Sequence, residues 1–106
     1  MYEYRCKAIR VVDGDTIDCE VDLGFRVHIA MRFRLLGINA PERGSVEATA
    51  ATKRLQQLTM GEKLIVRTRK DKTEKYGRYL GTFYTEGVES INETMVQEGH
   101  AVRYME

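Results

Sequence analysis

A chain of 106 residues, 42% hydrophobic and 31% charged with a single proline, has the length and composition of one globular unit, and excludes a disordered or fibrous protein. No apolar run reaches the roughly 18 residues that a membrane-spanning helix needs. A net charge of +1 excludes binding to a polyanion through bulk charge alone and leaves only local clusters to consider.

Residues 4–12 are rich in apolar side chains and end at Asp13-Gly14, a strong hairpin signal. A turn there pairs Val12 with Asp15 and Ala8 with Cys19. Cys6 is then diagonal to Cys19, roughly 7 Å or more away and at or beyond disulfide reach. No CxxC or histidine cluster accompanies the two cysteines, so they do not suggest a zinc site. They read as two free, partly buried thiols in a reducing compartment. Residues 16–23 alternate, with Ile17, Cys19, Val21 and Leu23 on one face and Asp18, Glu20 and Asp22 on the other. Gly24 turns the chain. Phe25, Val27, Ile29, Met31, Phe33 and Leu35 then alternate with Arg26, His28, Ala30, Arg32 and Arg34, which predicts a long strand with a core face and a basic face.

Residues 37–44 form a loop that contains the proline. Residues 45–60 read as a helix with Val46, Ala50, Leu55 and Leu58 as its apolar stripe and Gly61 as its cap. Leu64 and Val66 begin a strand that runs into a basic segment. Residues 63–78 carry seven basic and two acidic side chains, which taken alone is a solvated loop face. Residues 79–85 are its hairpin partner, and Glu86-Gly87 starts the next turn. Ser90 and Glu93 form a capping box that opens a short helix through Met95 and Val96, closed by Gly99. A short last strand follows over 100–104. The order of three strands, helix, two strands and short helix is the pattern of an OB-type barrel. The expected fold is therefore α+β and mainly β: a five-stranded OB-type barrel as one domain over residues 1–106, with a helix between strands 3 and 4 and a short C-terminal helix.

The polar residues acquire meaning as a set. Hydrolysing a phosphodiester calls for a hard cation held by oxygen ligands and a base to activate water. It also calls for guanidinium groups that fork onto phosphoryl oxygens as charge builds. Asp15 and Asn39 are candidate oxygen ligands, Glu42 a candidate base, and Arg34 and Arg78 candidate phosphate clamps. Each also has a plainer reading. Asp13-Gly14-Asp15 can be only a turn, Arg34 only a solvated arginine, and Glu42 only a carboxylate meeting a helix dipole.

The stretches VDGDTI at 12–17, FRLLGINAPE at 33–42 and EKYGR at 74–78 resemble the three signature motifs of the staphylococcal nuclease (thermonuclease) family. INETMVQEG at 91–99 resembles that family's short helix after the barrel. The likeness covers nearly the whole chain in the family's order. It implies a calcium-dependent endonuclease that cleaves DNA and RNA with little sequence preference, splits the 5′ P–O bond and leaves 3′-phosphate ends. It implies Asp15 and Asn39 as calcium ligands, with the Ala40 backbone carbonyl beside them and Asp13 behind. Glu42 is the implied general base or water-orienting group, and Arg34 and Arg78 bind the scissile phosphate. Lys75 and Tyr76 contact a terminal phosphate, and Tyr104 stands in for a stacking tyrosine.

Three departures from the family pattern stand out. Asn39 replaces an aspartate, which removes one negative charge and implies a weakly bound ion. The family's long final helix is lacking after Tyr104. The hairpin around Gly24 is longer, so the strand before Arg34 projects further. His28 and His100 match no family role and read as surface or structural residues. Met60, Met95 and Met105 read as core filler or chain-end residues. The expected partners are DNA or RNA, with no membrane, no obligate protein partner and a monomeric state. The N-terminal MYEYRCKAIR lacks the apolar stretch of a signal peptide, so the expectation is cytoplasmic, with secretion open if a leader has been removed. The alternative is a non-catalytic OB-type nucleic-acid-binding module, or an interaction domain that kept the fold.

Overall fold

The computed structural model describes residues 2–70, 79–86 and 90–104, except the Lys70 side chain. Alternating apolar side chains produce the strands. Strand β1 (Tyr2–Asp13) pairs antiparallel with β2 (Thr16–Asp22), which pairs antiparallel with β3 (His28–Leu35). After a two-residue strand β4 (Ile38–Asn39) and helix α1 (Val46–Thr59), β5 (Leu64–Lys70) and β6 (Tyr79–Thr85) form a hairpin. Helix α2 (Ile91–Gln97) and strand β7 (Val102–Arg103) follow. β5 pairs with β1, and β6 pairs parallel with β3 over three residue pairs, Phe33↔Tyr79, Arg34↔Leu80 and Leu35↔Gly81. The sheet thus closes in the order β1-β2-β3-β6-β5. This is the OB-type barrel with a helix after its third strand that the element order predicts.

Ile17, Cys19, Val21, Phe33, Leu35, Leu64, Val66 and Phe83 fill the bore, joined by Leu55 of α1 and Met95 of α2. Phe33 and Phe83 meet edge to face at 5.7 Å between ring centroids, a favoured aromatic arrangement. Cys6 and Cys19 are free and buried. Ala8 faces Cys19 as expected. Register shifts between Ala8 and Arg10 and between Val11 and Asp13 pair Asp13 with Thr16. The turn therefore falls on Gly14 and Asp15, and the expected pairing of Val12 with Asp15 does not form. The hydrogen bond to the Cys6 thiol and burial push the Cys19 thiol up, so it is a core side chain and not a nucleophile.

Several local expectations change. The third strand starts at His28, not Phe25, because Phe25 and Arg26 take φ values of 54° and 61°. With the Val27 N–H donating to the Gly24 carbonyl at 2.9 Å, these two form a type I′ turn. Leu23, Phe25, Val27 and Ile29 are exposed, since this end of the β2–β3 ribbon lies beyond β1. His28 is exposed beside Glu20, and His100 is half-buried beside Glu98, in keeping with surface or structural roles. Met60 is exposed and Met95 fills the core, while Gly87 and Met105 fall outside the described residues.

On α1 the buried face is Ala48, Ala51, Leu55 and Thr59. Val46 and Ala50 point outward, because the helix packs through its small residues against the turn after β1. Ser90 caps α2 by accepting from the Glu93 N–H at 3.0 Å. Glu93, however, does not complete the reciprocal box. Its carboxylate takes the Arg103 guanidinium at 2.6 and 2.8 Å. The expected last strand shortens to Val102–Arg103, which pairs with β4 in the proline-containing loop. No helix among the described residues is long and apolar enough to cross a membrane.

Candidate functional site

The β1–β2 turn is built on its aspartates. The Asp15 N–H donates to Asp13 Oδ1 at 3.1 Å, the local bond that makes Asx residues good turn formers. The Asp15 backbone carbonyl accepts from the Leu35 N–H at 2.8 Å. Its carboxylate is held at both oxygens: Oδ1 accepts from the Thr16 hydroxyl at 3.1 Å and Oδ2 from the Ala40 N–H at 3.0 Å. One side chain therefore joins the first motif to the second.

Gly14 makes that junction possible. A Cβ there would lie 2.8 Å from Cβ of both Ala40 and Ala51. This glycine supplies room for close approach of backbone to helix and loop.

Arg34 sits opposite Thr16 on β2 and Leu80 on β6. Its Nη2 donates to the Ile38 carbonyl at 3.1 Å and to Asn39 Oδ1, and lies 4.0 Å from Asp15 Oδ2. The Tyr104 ring lies under the same guanidinium, 5.2 Å from Cζ to the centroid. Glu42 is exposed two residues beyond Ala40. Its carbonyl accepts from the Ser45 hydroxyl at 2.9 Å, and Ser45 Oγ in turn caps α1 at the Ala48 N–H. That cap sets where the loop carrying Glu42 ends.

Burial raises the Asp15 carboxyl above its ordinary value, reinforced by its neighbour Asp13 and partly offset by the Ala40 N–H and Arg34. Burial opposes ionisation of Asp13 as well. Its hydrogen bonds with Asp15 and the charge of Arg43, 3.5 Å away, outweigh that and lower it. Asp13 and Asp15 put two carboxylates at one half-buried turn, and the guanidinium groups of Arg43 and Arg34 face them from 3.5 and 4.0 Å. The side-chain oxygens of Asp15 and Asn39 are donors of the kind a hard cation takes, and here Asp15 Oδ2 and Asn39 Oδ1 face Arg34 Nη2. Among the described residues no three His, Cys, Asp or Glu side chains cluster as metal ligands. An ion here would therefore use an amide and backbone oxygens beside Asp15, donors that fit calcium chemistry.

Asp13, Asp15, Arg34, Asn39, Ala40 and Tyr104 thus come together, with Glu42 on the adjoining loop. Lys75, Tyr76 and Arg78 lie outside the described residues. Tyr79, the next residue after Arg78, pairs with Phe33 beside Arg34. The site roles of four contributors were not read from the sequence: Gly14, the Thr16 hydroxyl, the Ile38 carbonyl and Arg43. The threonine of DGDT and the glycine between two aspartates carry the first two signals. A backbone carbonyl and a surface arginine carry none.

A closed five-stranded barrel with a carboxylate turn and a half-buried arginine at one rim defines an OB-type, nuclease-like domain. Residues 32–106 match the family model of staphylococcal nuclease homologues, and the chain belongs to that family. It is 36% identical over 110 residues to a micrococcal nuclease of Shigella flexneri, covering 96% of this chain and 59% of the relative. It is 33% identical over 110 residues to Protein ParB of Escherichia coli, covering 96% and 58%. It is 32% identical over 98 residues to an uncharacterized endonuclease of Escherichia coli O157:H7, covering 92% and 60%. The chain spans somewhat under two-thirds of the length of these relatives.

Proposed function

We propose that the chain is a calcium-dependent endonuclease that hydrolyses DNA or RNA phosphodiesters with little sequence preference and leaves 3′-phosphate ends. The observation that carries this reading is the convergence of Asp15 and Asn39 on the Arg34 guanidinium at the barrel rim, with the Ala40 N–H donating to Asp15. In it, Asp15, Asn39 and the Ala40 carbonyl hold one ion, backed by Asp13. Bound there, calcium supplies charge neutralisation to the phosphate. Glu42, exposed to solvent, accepts the proton of the attacking water. Arg34 donates to a phosphoryl oxygen as negative charge builds, and Arg78 adds a second guanidinium. The bond to the 5′ oxygen breaks, that oxygen takes a proton from solvent water to leave as the 5′ hydroxyl, and the phosphate stays on the 3′ side. Lys75 and Tyr76 contact a terminal phosphate. Asn39 gives the ion one negative charge fewer than an aspartate would, so calcium is weakly held.

The test is degradation of single-stranded DNA at millimolar calcium, with chelator and Glu42→Gln controls. The expected loss in Glu42→Gln is about 10²- to 10⁴-fold, with 3′-phosphate ends on the wild-type products. Asn39→Asp should reach half-maximal activity at lower calcium. Wild-type cleavage no faster than Glu42→Gln overturns the reading. Salt-dependent oligonucleotide binding without cleavage would then favour the non-catalytic module.

A further inference from the structure

We propose that Tyr104 is a positioning residue for Arg34, holding the guanidinium in its phosphate-binding orientation through the ring face, and not a platform for a substrate base. The inference rests on the proposed role of Arg34 in phosphate binding. A guanidinium 5.2 Å from a ring centroid is within the range of a cation–π contact, which strengthens when the charge is partly desolvated. The Arg34 side chain is 13% exposed. A long arginine side chain pointing at a phosphate loses rotamer freedom on binding unless something orders it beforehand. Here one edge of the guanidinium is fixed by the Ile38 carbonyl and Asn39 Oδ1. The tyrosine face fixes its plane.

Tyr104 is itself held in register with the site. Its N–H donates to the Gly37 carbonyl at 2.8 Å. Immediately before it, β7 pairs Arg103 with Ile38 and Val102 with Asn39. The Arg103 guanidinium forks onto Glu93 of α2 at 2.6 and 2.8 Å. This accounts for the incomplete capping box: Glu93 secures the strand that carries Tyr104. The same two-residue ribbon therefore places a candidate ion ligand, Asn39, and the ring that orients Arg34. The ring face that meets Arg34 is closed to a base.

The experiment compares wild type, Tyr104→Phe and Tyr104→Leu on two oligonucleotides, one normal and one with abasic sugars flanking the scissile phosphate. Positioning predicts that Tyr104→Leu lowers kcat about tenfold on both substrates, while Tyr104→Phe retains wild-type kcat. In parallel, the Arg34 Hε resonance of the free protein should be displaced upfield by the ring current in wild type and Tyr104→Phe, and return towards the ordinary arginine position in Tyr104→Leu. A loss confined to KM on the base-containing substrate means base stacking and overturns the proposal. So does an undisplaced Arg34 resonance in wild type, a measurement that needs no variant to fold. The displaced resonance in a wild type without nuclease activity would overturn the nuclease reading and leave the Arg34–Tyr104 contact standing, so the two failures are distinguishable.

Discussion

The two ends of the β2–β3 ribbon carry the same alternation and meet opposite fates. At the rim end, Thr16 faces Arg34 and Ile17 faces Phe33, and the apolar members are fully buried under α1 and β6. At the far end, Asp22 faces His28, yet Val27 is 47% and Ile29 39% exposed, and Phe25 is entirely in solvent. An alternating strand supplies an apolar face; burial requires a second layer over it. The rim end has that layer and therefore holds polar side chains in fixed positions. Among the described residues the tip lacks it and is supported by its own turn and by contacts within the ribbon.

The contrast can be broken most severely at Asn92, which ties the rim together. Its side chain accepts from the Phe83 N–H and donates to the Leu36 and Gly81 carbonyls, at 2.9–3.1 Å. Asn92→Ala leaves buried backbone groups unpaired and should cost about 3 kcal/mol in a urea unfolding titration. Gly14→Ala comes next. Its new Cβ meets Ala40 and Ala51 at 2.8 Å, so about 1–3 kcal/mol should be lost, with calcium-supported activity falling alongside. At the tip the sign reverses. Replacing Phe25-Arg26 by Asn-Gly, the pair that the type I′ turn favours, should stabilise by about 1 kcal/mol and raise Tm by about 4–8 °C without altering cleavage.

The smallest effect concerns surface ion pairs. Hydrogen bonds from Arg32, Arg103 and Arg54 hold the carboxyls of Asp18, Glu93 and Glu98 below the usual carboxylate range. Each binds its proton less readily folded than unfolded. Their contribution is therefore present at neutral pH and lost as pH falls through the lowered values. Urea midpoints measured from pH 7 down to pH 3 should decline, and added salt at pH 7 should reduce them only slightly.

The same contrast explains what could be read from the residues alone. Period-2 patterning found the second and third barrel strands, apolar runs and turn signals found the other three, and a stripe ending at Gly61 and a capping serine placed the two helices. The patterning also ran the third strand through a turn, because Phe25 and Arg26 lack any turn chemistry and continue the alternation. The stripe on α1 was right at Leu55 and Leu58 and wrong at Val46 and Ala50, because Val46 looks like core. The helix instead turns alanines inward, where only small side chains fit beside Gly14. Two of the three motifs named through family resemblance meet at one rim, and the third lies outside the described residues. The contacts joining those two were not legible in the sequence, since the Asp15–Ala40 bond runs to a backbone N–H and the choice of Arg103 by Glu93 depends on where β7 lands.

The short parallel seam between β3 and β6 has a kinetic consequence. It joins residues 46 positions apart, Arg34 with Leu80, through only three residue pairs, whereas every other barrel pairing is antiparallel and longer. A contact of high sequence separation and small reward is expected to form late, after the hairpins have closed their own loops. Arg34 lies on that seam. A folding chain would hold most of its hydrogen bonds, the pairing of Arg34 with Thr16 included, before β6 closes on Arg34, so partly folded molecules would be barrel-like in content and still lack the completed rim.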